Sequence, residues 1–209
     1  MFIPALNRMD DHDEILSFMR ANNFAIVVSV LDGLPVATHI PITITTKDDT
    51  ITLRAHFAKA NPQWKLLSEG ETLVIFSGPH AYISPKHYDK FESVPTWNYM
   101  AVHAYGQAKI VNYDDNPQAM NALIEELIQA SEASYMSQWE NLPDKYKDGM
   151  MSGTVGFEMV VTRIDAKAKL SQNKHPHEQE RIIETLLGHE DSSVVVIGEA
   201  MQKRLTHAD

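Results

Sequence analysis

Between residues 24 and 111 the long apolar runs repeat every two residues, with no regular crossover helix between successive runs. Side chains of an extended chain alternate between faces, so each such run reads as a strand with one buried face. Parallel strands need long crossover connections, and without them the chain is left with an antiparallel sheet or barrel. Phe24–Leu31 is a β-branched run, Asp32-Gly33 is a hairpin signal, and Pro35–Ile44 returns with Ile40, Ile42 and Ile44 in alternation. Pro41 has no N–H to give a ladder and implies an edge or a bulge. After a polar turn at Thr46–Asp49, Thr50–Phe57 sets Ile51, Leu53, Ala55 and Phe57 on one face and Thr52, Arg54 and His56 on the other. Glu71–Ser77 and Thr96–Val111 follow, separated by an irregular stretch punctuated by Gly78-Pro79, Ser84-Pro85 and Val94-Pro95.

Helices frame these strands. Asp10 or Asp11 caps a short one carrying Ile15, Phe18 and Met19, which ends at Asn22-Asn23. Asn61-Pro62 opens a second, stopping at Gly70. Asn116-Pro117 opens a third, with Met120, Leu123, Ile124, Leu127 and Ile128 as its apolar stripe. Gly156–Lys169 reads as one more strand and Pro176–Leu187 as a helix ended by Gly188. Residues 191–205 fit a strand at Val194–Ile197 or a helix through Met201 and Leu205. With no repeat and no linker, the expectation is one α+β domain over 1–209, a β-barrel core with helical additions at about 116–140 and 176–205.

Charge and composition exclude several functions. Eighteen Lys and Arg against 28 Asp and Glu leave a net charge of −10, which argues against a whole-surface grip on nucleic acid. The third helix has no Lys or Arg between Lys109 and Lys145, so it is no recognition helix. The absence of cysteine removes disulfides, thiolate metal sites and thiol nucleophiles. No HExxH spacing supports a metal among the ten histidines, and no GxSxG, GxGxxG or Walker sequence occurs. Met1-Phe-Ile-Pro4 lacks the basic start of a signal peptide, and no apolar run could span a bilayer, so a cytoplasmic chain is expected.

Two segments carry candidate chemistry. Arg54 and His56 share a strand face, Lys59 follows, and the helix opening at Asn61-Pro62 aims unpaired backbone N–H groups the same way; together they would receive a phosphate monoester. The alternative is that Arg54 pairs with a carboxylate and Asn61 merely caps its own helix. In Val94–Gly106, Trp97, Tyr99, Ala101, His103 and Tyr105 share one face, which suits a flat heterocycle or simply packs on a helix or a dimer partner.

His56-Phe-Ala-Lys-Ala-Asn-Pro-Gln-Trp64, Phe76-Ser-Gly-Pro-His-Ala-Tyr-Ile-Ser-Pro85, Val94–Gly106 and Lys169-Leu-Ser-Gln-Asn-Lys174 stand in the order found in the PaiB family of FMN-binding negative transcriptional regulators, which the chain resembles over nearly its whole length. The departures are Lys86-His87, where members often carry Ser-Trp, and Lys174-His-Pro-His177 before the following helix. The resemblance implies an antiparallel split β-barrel, a homodimer with FMN at the subunit interface, and repression of transcription, directly on DNA or indirectly. It implies Arg54, His56, Lys59 and Asn61 at the phosphate, and Trp97, Asn98 and Tyr99 at the ring or ribityl chain. Gln172 and Asn173 would meet the pyrimidine edge, and Ser77 and Gly78 would line the cleft. Catalytic residues stay unassigned. The alternatives are an FMN-dependent oxidoreductase using NAD(P)H or a small reductant, in which His103 or Tyr99 would donate a proton near the flavin, and an interaction dimer without flavin.

Overall fold

The computed structural model describes residues 1–206, so the last three positions of the expected 1–209 domain lie outside the described residues. Seven strands form one antiparallel sheet in the order β2-β1-β5-β6-β7-β4-β3: β1 Phe24–Leu31, β2 Leu34–Pro41, β3 Thr43–Lys47, β4 Thr50–Ala58, β5 Thr72–Ile83, β6 Thr96–Asn112 and β7 Thr154–Lys169. The helices are α1 His12–Ala21, α2 Pro117–Glu132, α3 Met136–Asn141, α4 Asp144–Ser152, α5 Pro176–Leu187 and α6 Ser192–Thr206. By its internal contacts the chain divides into two compact units. Met1–Phe18, Ser77–Val102 and the chain from Asp165 onward make the first; Met19–Phe76 and His103–Ile164 make the second.

In the second unit the hairpin closes as expected: Asp32 and Gly33 both adopt positive φ, the primed turn that matches strand twist. The expected return strand Pro35–Ile44 is in fact two strands. It breaks after Pro41, and the Ile42 N–H bonds the Asn23 carbonyl instead of continuing the ladder. β2 and β3 therefore become the two opposite edges of the sheet, which is where a proline is tolerated. Arg54 on β4 pairs with Thr43 and Glu158, and His56 with Gly156. Leu53, Ala55 and Phe57 lie buried with Val155, Phe157 and Met159, and the Phe57 and Phe157 rings meet at 5.8 Å. The expected helix after Asn61 is only a 3-10 turn, Pro62–Leu66, whose Gln63 N–H bonds the Asn61 side chain. Gln63 is 4% exposed and explains why. Its amide donates to the Val27 carbonyl at 2.9 Å and its carbonyl accepts from Thr38 at 2.6 Å, so the turn is pinned to β1 and β2 before a helix can grow. Met120 of α2, Trp139 of α3 and Met151 of α4 form a separate apolar cluster. α4 lies beyond the expected helical addition, because Asp144–Ser152 is mostly polar and shows little apolar stripe.

In the first unit α5 and α6 pack closely. A Cβ at Gly198 would stand 3.1 Å from Leu186 Cβ. The segment expected at 191–205 resolves as the helix Ser192–Thr206, with Ile197 and Met201 buried. β5 runs through Gly78-Pro79 to Ile83, where an irregular stretch was expected; Ala81 and Ile83 bury there and keep the chain extended. Buried Glu178 accepts from the Asp89 and His175 N–H groups, and Arg181 donates to the Asp89 carboxylate and the His87 carbonyl, clipping residues 85–89 to α5.

Gly106 in the second unit carries the strictest packing demand in the sheet. A Cβ there would lie 2.2 Å from the Val160 carbonyl oxygen, a backbone atom that cannot swing aside. Gly106→Ala is therefore expected to destabilise the protein by about 2–3 kcal/mol or more, read as a lower urea midpoint.

Candidate functional site

In the first unit, Ser77, Gly78, His80, Trp97, Tyr99 and Met100 line an open cleft of about 270 Å³. Sequence alternation produces it: Asn98, Val102 and Ala104 of β6 turn inward and bury, so Trp97 and Tyr99 must turn outward. Trp97 is 52% exposed, with the His80 ring 5.5 Å away and Tyr82 edge-on at 5.7 Å. Gly78 admits its neighbour Phe18, whose ring atoms would lie 2.7 and 2.8 Å from a Cβ, so only backbone faces the cleft there. Lys167 of β7 holds its ammonium 5.1 Å above the Tyr99 ring. The Asp191 carboxylate is held below the usual range by hydrogen bonds from Ser193, with His189 and His80 adding their charge.

The other predicted residues of this unit are placed differently. Asn98 is fully buried: its amide donates to Ser171 Oγ at 3.0 Å and approaches Met201 Sδ at 3.3 Å, so it ties strand to helix instead of lining the cleft. Gln172 is spent on its own turn, accepting from the Leu170 N–H and donating to the Ala168 carbonyl. That turn holds Ser171 at φ 61°. Asn173 is exposed.

In the second unit the cationic strand face exists, but its charges are largely answered. Arg54 donates through Nε to Glu158 at 2.8 Å and through Nη1 to Glu126 at 3.0 Å and Thr45 at 3.2 Å. This is the structural alternative raised from sequence: two carboxylates around one guanidinium leave the cluster net negative. Burial lowers the Arg54 pKa, but the hydrogen bonds and charges of Glu158 and Glu126 outweigh it and raise it overall. Lys59 meets one exposed carboxylate, Asp114, at 2.8 Å, a pair that solvent screens and an anion can displace. Asn61 donates to Thr38 at 2.9 Å. His56 differs from all of these: its Nδ1 is buried with no hydrogen-bond partner among the described residues, and desolvation lowers its pKa. His103 lies half-buried beside Tyr105, ring to ring at 6.4 Å.

The sequence pattern misses three contributors. His80 continues the outward alternation of Tyr82, a signal masked by the Gly78-Pro79 break. Lys167 and Gln63 gain their surroundings only from distant segments.

The family model described as "Putative FMN-binding domain" matches residues 1–163. A curated relative from Bacillus subtilis (strain 168), "Protease synthase and sporulation protein PAI 2", is 36% identical over 206 residues, covering 98% of each chain. An uncharacterized protein of Emericella nidulans is 30% identical over 223 residues, covering 88% of this chain and 89% of its own. Among solved structures, the FAD and heme binding protein from Mycobacterium smegmatis aligns with a TM-score of 0.55 at 17% identity, over 78% of this chain and 73% of its own. The flavocytochrome Anf3 from Azotobacter vinelandii aligns at 0.52 and 17%, over 76% and 67%. These likenesses agree with the seven-stranded sheet in giving the α+β, antiparallel split-barrel class expected from sequence.

The buried His56 makes a pH test possible. Its folded pKa lies below the ordinary value of about 6.5, so the unfolded chain takes up its proton first as pH falls. The stability it supports is full above about pH 6.5 and is lost as pH falls through the lowered folded value. His56→Gln is expected to flatten that part of the stability profile, measured by urea unfolding at a series of pH values.

Proposed function

The chain belongs to this FMN-binding domain family, and from that premise we propose that it is an FMN-binding homodimer and a negative transcriptional regulator, direct or indirect, of the kind the PaiB resemblance implies. The observation that carries the reading is the first unit's open cleft. Trp97, Tyr99 and His80 give it flat walls, and the backbone at Ser77 and Gly78 gives it a floor that a ring system can approach closely. FMN supplies redox chemistry when bound, and the protein's part is to hold and orient it. Trp97 and Tyr99 are the proposed stacking groups, with His80 at the same wall. Asn98, Ser171 and Gln172 fix the turn that presents Asn173. Lys59 of the second unit, whose carboxylate partner is exchangeable, is a separate candidate for an anion, with His56 and Asn61 beside it in sequence. Arg54 is proposed to position β4 and not to bind an anion, because Glu126 and Glu158 already occupy its donors.

The homodimer is supported by large apolar side chains left exposed on the β1–β2 hairpin, Phe24, Val30 and Leu34, of the kind that marks an association surface. Among the described residues no helix is long and apolar enough to cross a membrane. The net charge of −10 favours regulation through a partner or metabolite over direct contact with DNA. A gel shift at low salt tests that point, and retarded promoter DNA would reverse it. Steady NADH or NADPH consumption by the flavin-loaded protein would turn the reading toward an oxidoreductase.

The decisive measurement is flavin binding itself. FMN added to the purified protein is expected to lose fluorescence in a saturable titration, and Trp97→Ala to weaken that binding about tenfold without loss of the fold, since half of Trp97 is already in solvent. A wild-type protein that leaves FMN fluorescence unchanged would refute the reading.

A further inference from the structure

Several cations of this acidic chain find a carboxylate: Arg54 has two, while Arg181, Arg204, Arg163 and Lys147 each have at least one. Lys167 is a buried exception. It is 7% exposed, and among the described residues its ammonium has one hydrogen-bond partner, the Phe2 carbonyl oxygen at 3.3 Å, besides the Tyr99 ring face at 5.1 Å. An ammonium carries three donors, and burying its charge without an anion is costly. Two residues along the same strand face, half-buried Lys169 spends its ammonium on Thr96 Oγ1, a neutral group. On the other side Asp165, the carboxylate nearest in sequence, is taken up by the Met1 amine. A largely buried lysine thus holds its ammonium over the ring of Tyr99, one wall of the aromatic cleft, and a second bonds Thr96, the residue before Trp97.

We infer that Lys167, assisted by Lys169, is the anion-recognising group of the cleft, selecting an aromatic ligand that bears negative charge over a neutral one. The inference rests on the flavin reading and assigns it a charge partner that the sequence motifs do not single out. Flat walls bind any heterocycle of suitable size, whereas an under-coordinated ammonium favours the one that completes its shell. FMN supplies that charge from its phosphate. A cation kept unpaired for a ligand also costs stability in the ligand-free protein, so removing the charge should not harm the fold.

The test is fluorescence titration of FMN and riboflavin into wild type, Lys167→Met, Lys167→Arg and Lys169→Met, with thermal melts of each ligand-free protein. Lys167→Met is expected to weaken FMN binding by roughly ten- to a hundredfold, the range for a hydrogen bond to a charged group, while its Tm holds or rises. Lys167→Arg should keep most of the affinity, and Lys169→Met should lose a smaller part. A loss confined to FMN assigns the phosphate and supports the inference; an equal loss for neutral riboflavin overturns it, because the lysine would then not select for charge. Wild-type affinity for FMN in both methionine variants overturns it. So does a Lys167→Met protein that fails to fold while Lys169→Met binds FMN like wild type. If wild type itself binds neither flavin, the flavin reading has failed, an outcome distinct from the others.

Discussion

A strand has two faces and the hydrophobic core takes only one of them, so whatever occupies the other is left for water, a partner or a ligand. That constraint organises this molecule. On β4 the inward set Leu53, Ala55 and Phe57 leaves Arg54 and His56 together on the opposite face. On β6 the inward set Asn98, Val102 and Ala104 leaves Trp97 and Tyr99 outward. Burying Val, Ala and Phe thus forces unlike side chains into company elsewhere, and the candidate chemistry lies in that company. The cleft of the first unit follows directly: β5 turns His80 and Tyr82 outward and β6 turns Trp97 outward, and their rings meet within 6 Å.

Charge placement separates structural cations from available ones. The Arg54 guanidinium, with carboxylates on two sides, fastens β4 to β7 and to α2; its planar fork suits such multidentate duty. Lys167 shows the reverse arrangement: a buried lysine with, among the described residues, one backbone carbonyl, a ring face and no carboxylate. Its burial is what carries information about a ligand, since an exposed ammonium without a carboxylate is satisfied by water.

Much of the fold was legible from local pattern. β1 and α5 begin and end where periodicity, the Asp32-Gly33 turn and the Gly188 stop put them, because hairpin chemistry and capping act within a few residues. The misreadings have a common cause. Pro35–Ile44 alternates without a break, yet it splits at Ile42 because its two halves pair with different strands at opposite sheet edges. Asn61-Pro62 looks like a helix start, yet Gln63 is drawn to the backbone of β1 and β2, and a 3-10 turn is all that remains. Each outcome was decided by a partner far away in the chain.

The same division holds for the site. By themselves the residues determine which side chains share a face, since alternation is a property of extended backbone; Trp97 with Tyr99 and Arg54 with His56 needed no tertiary knowledge. Tertiary structure alone decides which of them remain available. It spends Arg54 on Glu126 and Glu158, buries Asn98 against Ser171, and leaves His56 Nδ1 and the Lys167 ammonium short of partners. The physical reason is range. Side-chain direction is set by neighbouring residues, whereas the desolvation and charge that decide binding come from segments 70 to 165 positions away, as with Asn98 and Ser171 or Lys167 and Phe2.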